Sequence, residues 1–122
     1  LESQPQALEE ARKGRHPWHY FESMLAALPA HAICPVVSLQ ADFDNLPDTM
    51  RLALTELTQV ELEHLRLLTH AYNDQVEYAE TVPLLLSLKG ALQYRRVMGE
   101  KFFRKTVKTI RARFYATIPK PR

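Results

Sequence analysis

The chain has 122 residues, 46% of them apolar and 25% charged, a composition that implies one ordinary globular domain and excludes wholesale disorder. The longest apolar run, Val82 to Leu86, falls far short of a membrane span, and no signal-peptide pattern opens the chain. The net charge of +2 conceals a split: residues 1–88 carry 13 acidic and 5 basic side chains, whereas residues 89–122 carry 11 basic ones and a single acid, Glu100.

Three glycines and eight prolines punctuate the sequence. Ser3 with Gln6 reads as a capping box, with Pro5 in the first turn and Gly14 closing a short helix. A second helix starts at Pro17 and stops before Pro29, and its apolar stripe is Trp18, Phe21, Leu25 and Leu28. Cys34 is the single cysteine, so no intrachain disulfide can form, and a reducing compartment such as the cytoplasm is expected. With no lysine or arginine next to it in sequence, it reads as a small buried apolar residue. Leu1 in place of an initiator methionine leads us to expect a domain cut from a longer protein or a processed product.

From Ile33 to Phe43 the period changes. Val37, Leu39, Ala41 and Phe43 alternate with Ser38, Gln40 and Asp42, the pattern of a half-buried strand. No second run of that quality is present to pair with it. The segment is expected either to lie extended over the helices or to pair with its counterpart in a homodimer.

Asp48, after Pro47, is a good N-cap for the next helix. Met50, Leu54, Leu57, Leu65, Leu68 and Tyr72 would share one face of it, with Glu61 turned inward beside His64. Thr58 and Glu61 also fit a capping box, which favours two helices or a kinked one. Pro83 starts another helix through Leu88, Leu92 and Met98. Its later stripe, Ala91, Tyr94, Met98 and Phe102, is rotated by roughly half a turn from the stripe Phe103, Val107, Ile110 and Phe114. A bend or break at Gly99 is therefore expected. The last element, 100–117, is a basic amphipathic helix, and Leu1–Gln4 and Pro119–Arg122 read as frayed tails. The fold class is thus all-α, five to six helices in one domain over 1–122, with one short extended segment near 36–43.

Few constellations here carry chemistry. His16 and His19 stand three apart at a helix start, and Glu61 with His64 makes one E-x-x-H pair, but no further ligand motif accompanies either. No metal or cofactor is expected. A Gly-rich phosphate loop, a nucleophile elbow and a kinase set are all missing, so no catalytic residue is assigned. The basic helix remains. Lys101, Arg104, Lys105, Lys108 and Arg111 fall opposite its apolar stripe, and cations so arranged give strong, salt-sensitive affinity for nucleic acid.

Residues 57–68, L-T-Q-V-E-L-E-H-L-R-L-L, resemble the opening of a LuxR-type helix-turn-helix. Residues 106–115, T-V-K-T-I-R-A-R-F-Y, resemble that family's recognition helix. The resemblance implies that Lys108, Arg111 and Arg113 face DNA. It stops at these two pieces: the stretch between them is longer than the motif and lacks its second-helix pattern, so no membership is assigned. The expected function is a non-enzymatic domain binding nucleic acid, DNA by preference, in a regulatory or DNA-processing protein. One alternative is a protein-interaction module (adaptor, immunity or oligomerisation domain) whose basic helix packs on an acidic protein surface. A second is a small toxin-like nuclease.

Overall fold

A computed structural model describes residues 3–29 and 34–122, and these form six helices: α1 (Gln4–Arg12), α2 (Trp18–Ala27), α3 (Pro35–Ala41), α4 (Asp48–Tyr72), α5 (Tyr78–Met98) and α6 (Glu100–Thr117). A single 3-10 turn, Phe43–Asn45, joins α3 to α4, and there is no strand among the described residues. The all-α expectation holds. No described helix is long and apolar enough to cross a membrane.

Local signals set most boundaries. The Ser3 hydroxyl accepts from the Gln6 N–H at 3.2 Å, satisfying one of the orphan donors at the start of α1. Gly14 ends that helix at φ 99°, a left-handed conformation that costs a side-chain-bearing residue strain. Gly99, at φ 89° and ψ 176°, breaks α5 from α6 where the two stripes change register.

The core joins Leu65 and Leu68 of α4, Leu84, Leu85, Leu88 and Leu92 of α5, and Phe103, Ile110 and Phe114 of α6. Trp18 and Phe21 of α2 close over Phe114, with ring centroids 5.0 and 5.2 Å apart. Ala7 and Ala11 seat α1 on α4, small side chains allowing close approach. Asn73 Nδ2 donates to the Pro119 carbonyl at 2.9 Å, which brings the end of α6 back to the start of α5 and makes the two helices antiparallel.

Four expectations are corrected. Residues 36–43 are not extended: Pro35 opens α3, and the Ser38 N–H donates to the Cys34 carbonyl. A lone strand would have left its backbone groups unpaired, whereas a short helix satisfies them internally. The reason to expect a strand-paired homodimer disappears with it. Second, α4 is one unbroken helix of 25 residues. Thr58 Oγ1 donates to the Leu54 carbonyl rather than capping a new helix. The inward Glu61 meets Lys89 Nζ of α5 at 2.5 Å. Burial works against the Lys89 charge, but Glu61, with help from Cys34, overcomes it and raises the lysine above its usual pKa. Third, α5 begins at Tyr78, and Pro83 lies inside it. The proline removes one backbone bond near the helix start, where burial of Leu84, Leu85 and Leu88 holds the chain. Fourth, the C-terminal tail is tied down at its start: Ile118 before it is fully buried, and the Pro119 carbonyl accepts from Asn73, while residues 120–122 are exposed.

Candidate nucleic-acid interface

Helix α6 owes its orientation to contacts at both ends. At the start, Arg95 of α5 is buried and donates Nε–H and Nη2–H to the two Glu100 oxygens at 2.8 and 3.0 Å. Its guanidinium lies 4.3 Å from the centre of the Phe103 ring. The one acid of the tail thus staples the Gly99 turn instead of neutralising the basic face. At the other end, His16 Nδ1 accepts from the Trp18 N–H at 3.0 Å, so the ring proton sits on Nε2 and donates to the Ile118 carbonyl at 2.8 Å. The ring of Tyr115 stacks on His16 at 4.0 Å. Both nitrogens of His16 are engaged and His19 Nε2 lies 3.5 Å from the Tyr115 hydroxyl, so the pair serves as a clamp on α6. Burial lowers the His16 pKa, opposed by its bond to Ile118 and assisted by nearby His19.

Between these clamps Phe103, Ile110 and Phe114 are buried, with Val107 packed against them, as the sequence pattern requires. Lys101, Arg104, Lys105, Lys108, Arg111 and Arg113 are all exposed, and among the described residues none of them enters an ion pair. Of the acidic side chains in the first part of the chain, Asp48 pairs with Arg51 of its own helix, and Asp42, Asp44, Glu77 and Glu80 make no ion pair with α6. At the helical repeat of about 100° per residue, the five cations from Lys101 to Arg111 span an arc of about 120°. Arg113 stands about 140° from Lys108, on the other flank of the helix. It does not share the face.

One flank of this face borders a groove of about 430 Å³ between α2 and α6, with Arg95, Arg104, Lys108 and Arg111 around Leu25 and Val107. The two acids of that groove are already engaged. Glu22 accepts from Trp18 Nε1–H at 2.8 Å, and Glu100 holds Arg95. Glu22 keeps its charge, so Arg104, Lys108 and Arg111 leave the groove with a cationic excess over one free carboxylate. Tyr115 lies 5.7 Å beneath the Arg111 guanidinium, a cation–π contact that limits where the arginine can point.

The helix-turn-helix likeness does not carry over. Residues 57–68 lie in the middle of α4 rather than at a helix start, and α5 intervenes between them and α6. Comparison with protein-family models, curated proteins and solved structures finds no match for this chain. The second candidate pair is also dispersed: Glu61 is held by Lys89, while His64 packs edge-on against Tyr20 at 4.8 Å. Among the described residues no group of three His, Cys, Asp or Glu could hold a metal ion. Sequence reasoning missed Lys89 beside Cys34, with Nζ 3.3 Å from Sγ, because the two are 55 residues apart. It also missed the exposed apolar face of α4 around Met50, Leu57 and Val60, whose signal was an apolar arc wider than a core stripe needs.

Proposed function

We propose that the chain is a non-enzymatic domain that binds duplex nucleic acid, DNA in a regulatory or DNA-processing protein, through the basic face of α6. One observation carries this reading: five unpaired cations share one face of a helix whose opposite face is locked in the core. Charges held this way meet a polyanion without first breaking internal ion pairs, and the helix that carries them needs no ordering on binding. A helix of about 10–12 Å diameter also matches the width of the major groove. From Lys101 to Arg111 the cations span about 15 Å of helix axis, enough to meet several phosphates. The groove beside Arg104, Lys108 and Arg111 offers a further cationic wall. A reducing, cytoplasmic setting accompanies this reading.

The test is binding of a labelled duplex across a salt series. If all five cations reach phosphates, log affinity falls against log salt with a slope of about −4 to −5. A slope near zero, or no binding at low salt, contradicts the proposal.

A further inference from the structure

The groove of about 430 Å³ between α2 and α6 has two kinds of lining. Leu25, Leu28 and Val107 make it apolar, and each is only half-buried, so apolar surface meets water there. Arg104, Lys108 and Arg111 make it cationic. Against these three charges stand Glu22, which keeps its own, and Glu100, whose charge Arg95 matches. Arg95 also lines the groove and is only 7% exposed. Its Nε and Nη2 are spent on Glu100, and its Nη1 is buried with no hydrogen-bond partner among the described residues. A guanidinium nitrogen left so forgoes the bonds that water would give it, a cost that an acceptor oxygen in the groove removes.

We propose that this groove binds a small organic carboxylate with an apolar body. The body covers Leu25, Leu28 and Val107, and the carboxylate offsets the cationic excess and gives Arg95 Nη1 the acceptor it lacks. Val107 is three residues from Arg104 and four from Arg111, so apolar surface and cations are neighbours on α6 rather than at opposite ends. The volume lies within the range of about 300–1,000 Å³ usual for small-molecule sites. Other occupants match less of the lining. A neutral apolar molecule would desolvate the cations without pairing them. An inorganic anion leaves the apolar wall uncovered. A duplex has no apolar group to lay on Leu25 and Leu28, and its backbone, resting on the exposed face of α6, stands off from a side chain as buried as Arg95. The site shares Arg104, Lys108 and Arg111 with the basic face, but its test uses no nucleic acid, so either reading can fail without the other.

Octanoate, octanol and acetate titrated into the full chain test it by NMR. Trp18 is the single tryptophan and lines the groove, so its indole N–H, held by Glu22, gives one resonance that reports on this site. Octanoate should shift that resonance saturably. Octanol, which has the body without the charge, and acetate, which has the charge without the body, should each bind at least about tenfold more weakly. An Arg104→Gln, Lys108→Gln double variant, with both side chains exposed, should weaken octanoate by about tenfold or more and leave the circular dichroism spectrum unchanged. Arg95→Lys, which keeps the charge opposite Glu100 and removes Nη1, should weaken it as well; if that variant fails to fold, the double variant decides. No saturable shift with octanoate, octanol or acetate binding as tightly as octanoate, or a double variant that binds octanoate like wild type would each overturn the proposal.

Discussion

The two helices α4 and α6 are both long and amphipathic, yet the fold uses them differently. In α6 the apolar stripe is narrow and almost wholly buried, so what faces water is mainly charge, with Phe102 and Tyr115 partly exposed beside it. In α4 the apolar arc is broader than its neighbours cover: Leu54, Leu65 and Leu68 are buried, while Met50, Leu57 and Val60 are not. A helix whose hydrophobic arc matches its cover presents a polar surface held at fixed orientation. One whose arc exceeds its cover presents an apolar surface that needs a partner. The first arrangement suits a polyanion, the second an apolar surface.

Substitution on the two stripes should separate these roles most sharply. Phe114 is fully buried among Trp18 and Phe21, so Phe114→Ala should cost about 3–5 kcal/mol in urea unfolding. Val60→Ala, on the open face of α4, should stay within about 0.5 kcal/mol. If Val60→Ala costs as much as Phe114→Ala, α4 has no uncovered face.

The Glu61–Lys89 pair ties α4 to α5, with the lysine side chain 11% exposed and the glutamate 33%. Lys89→Met should cost about 1–3 kcal/mol, less than breaking a fully buried pair because Glu61 keeps access to water. Glu61 raises the Lys89 pKa against the opposing effect of burial. Stability from this charge is therefore complete below the ordinary lysine value and lost as pH rises through the higher folded one. Unfolding midpoints in alkaline buffers should converge for wild type and Lys89→Met.

A smaller effect runs the other way in pH. Burial lowers the pKa of His16, and also that of His64 against a weaker opposing influence from the Gln4 backbone. Each contributes stability that is complete above the unfolded value of 6.5 and lost as pH falls through the lower folded value. Denaturant midpoints measured from pH about 7.5 down to about 5 should decline, and His16→Asn should flatten part of that decline. Because His16 clamps the α6 terminus, its protonation should loosen α6 before α4, seen as earlier amide exchange near Phe114 than near Leu65.

The helices themselves were legible because proline, glycine and a 3.6-residue period are local signals. The α6 stripe was plainest, since Phe103, Val107, Ile110 and Phe114 fit a single narrow face and the cations fit its opposite. What the sequence hid was non-local. Glu61 argued for a break in α4 only while its partner, Lys89, stood 28 residues away and unseen. His16 resembled half a metal site, but its partner is the Ile118 carbonyl, 102 residues on. Residues 37–43 alternate as a strand does, yet a helix of seven residues is too short for its period to stand out against that alternation. Apolar spacing likewise placed Met50 and Leu57 in the core with Leu54, because spacing gives the width of an apolar arc and not how much of it is covered.

The central claim, that the basic face of α6 acts as one unit on a polyanion, is tested most directly by comparing salt slopes. Duplex binding should be measured over the same salt series for wild type and for the Lys101→Ala, Arg104→Ala, Lys108→Ala triple variant. All three side chains are exposed, so the fold should survive. The account predicts a slope shallower by about 2–3 in the triple variant, with affinity reduced at every salt concentration. Identical slopes for the two proteins would contradict it.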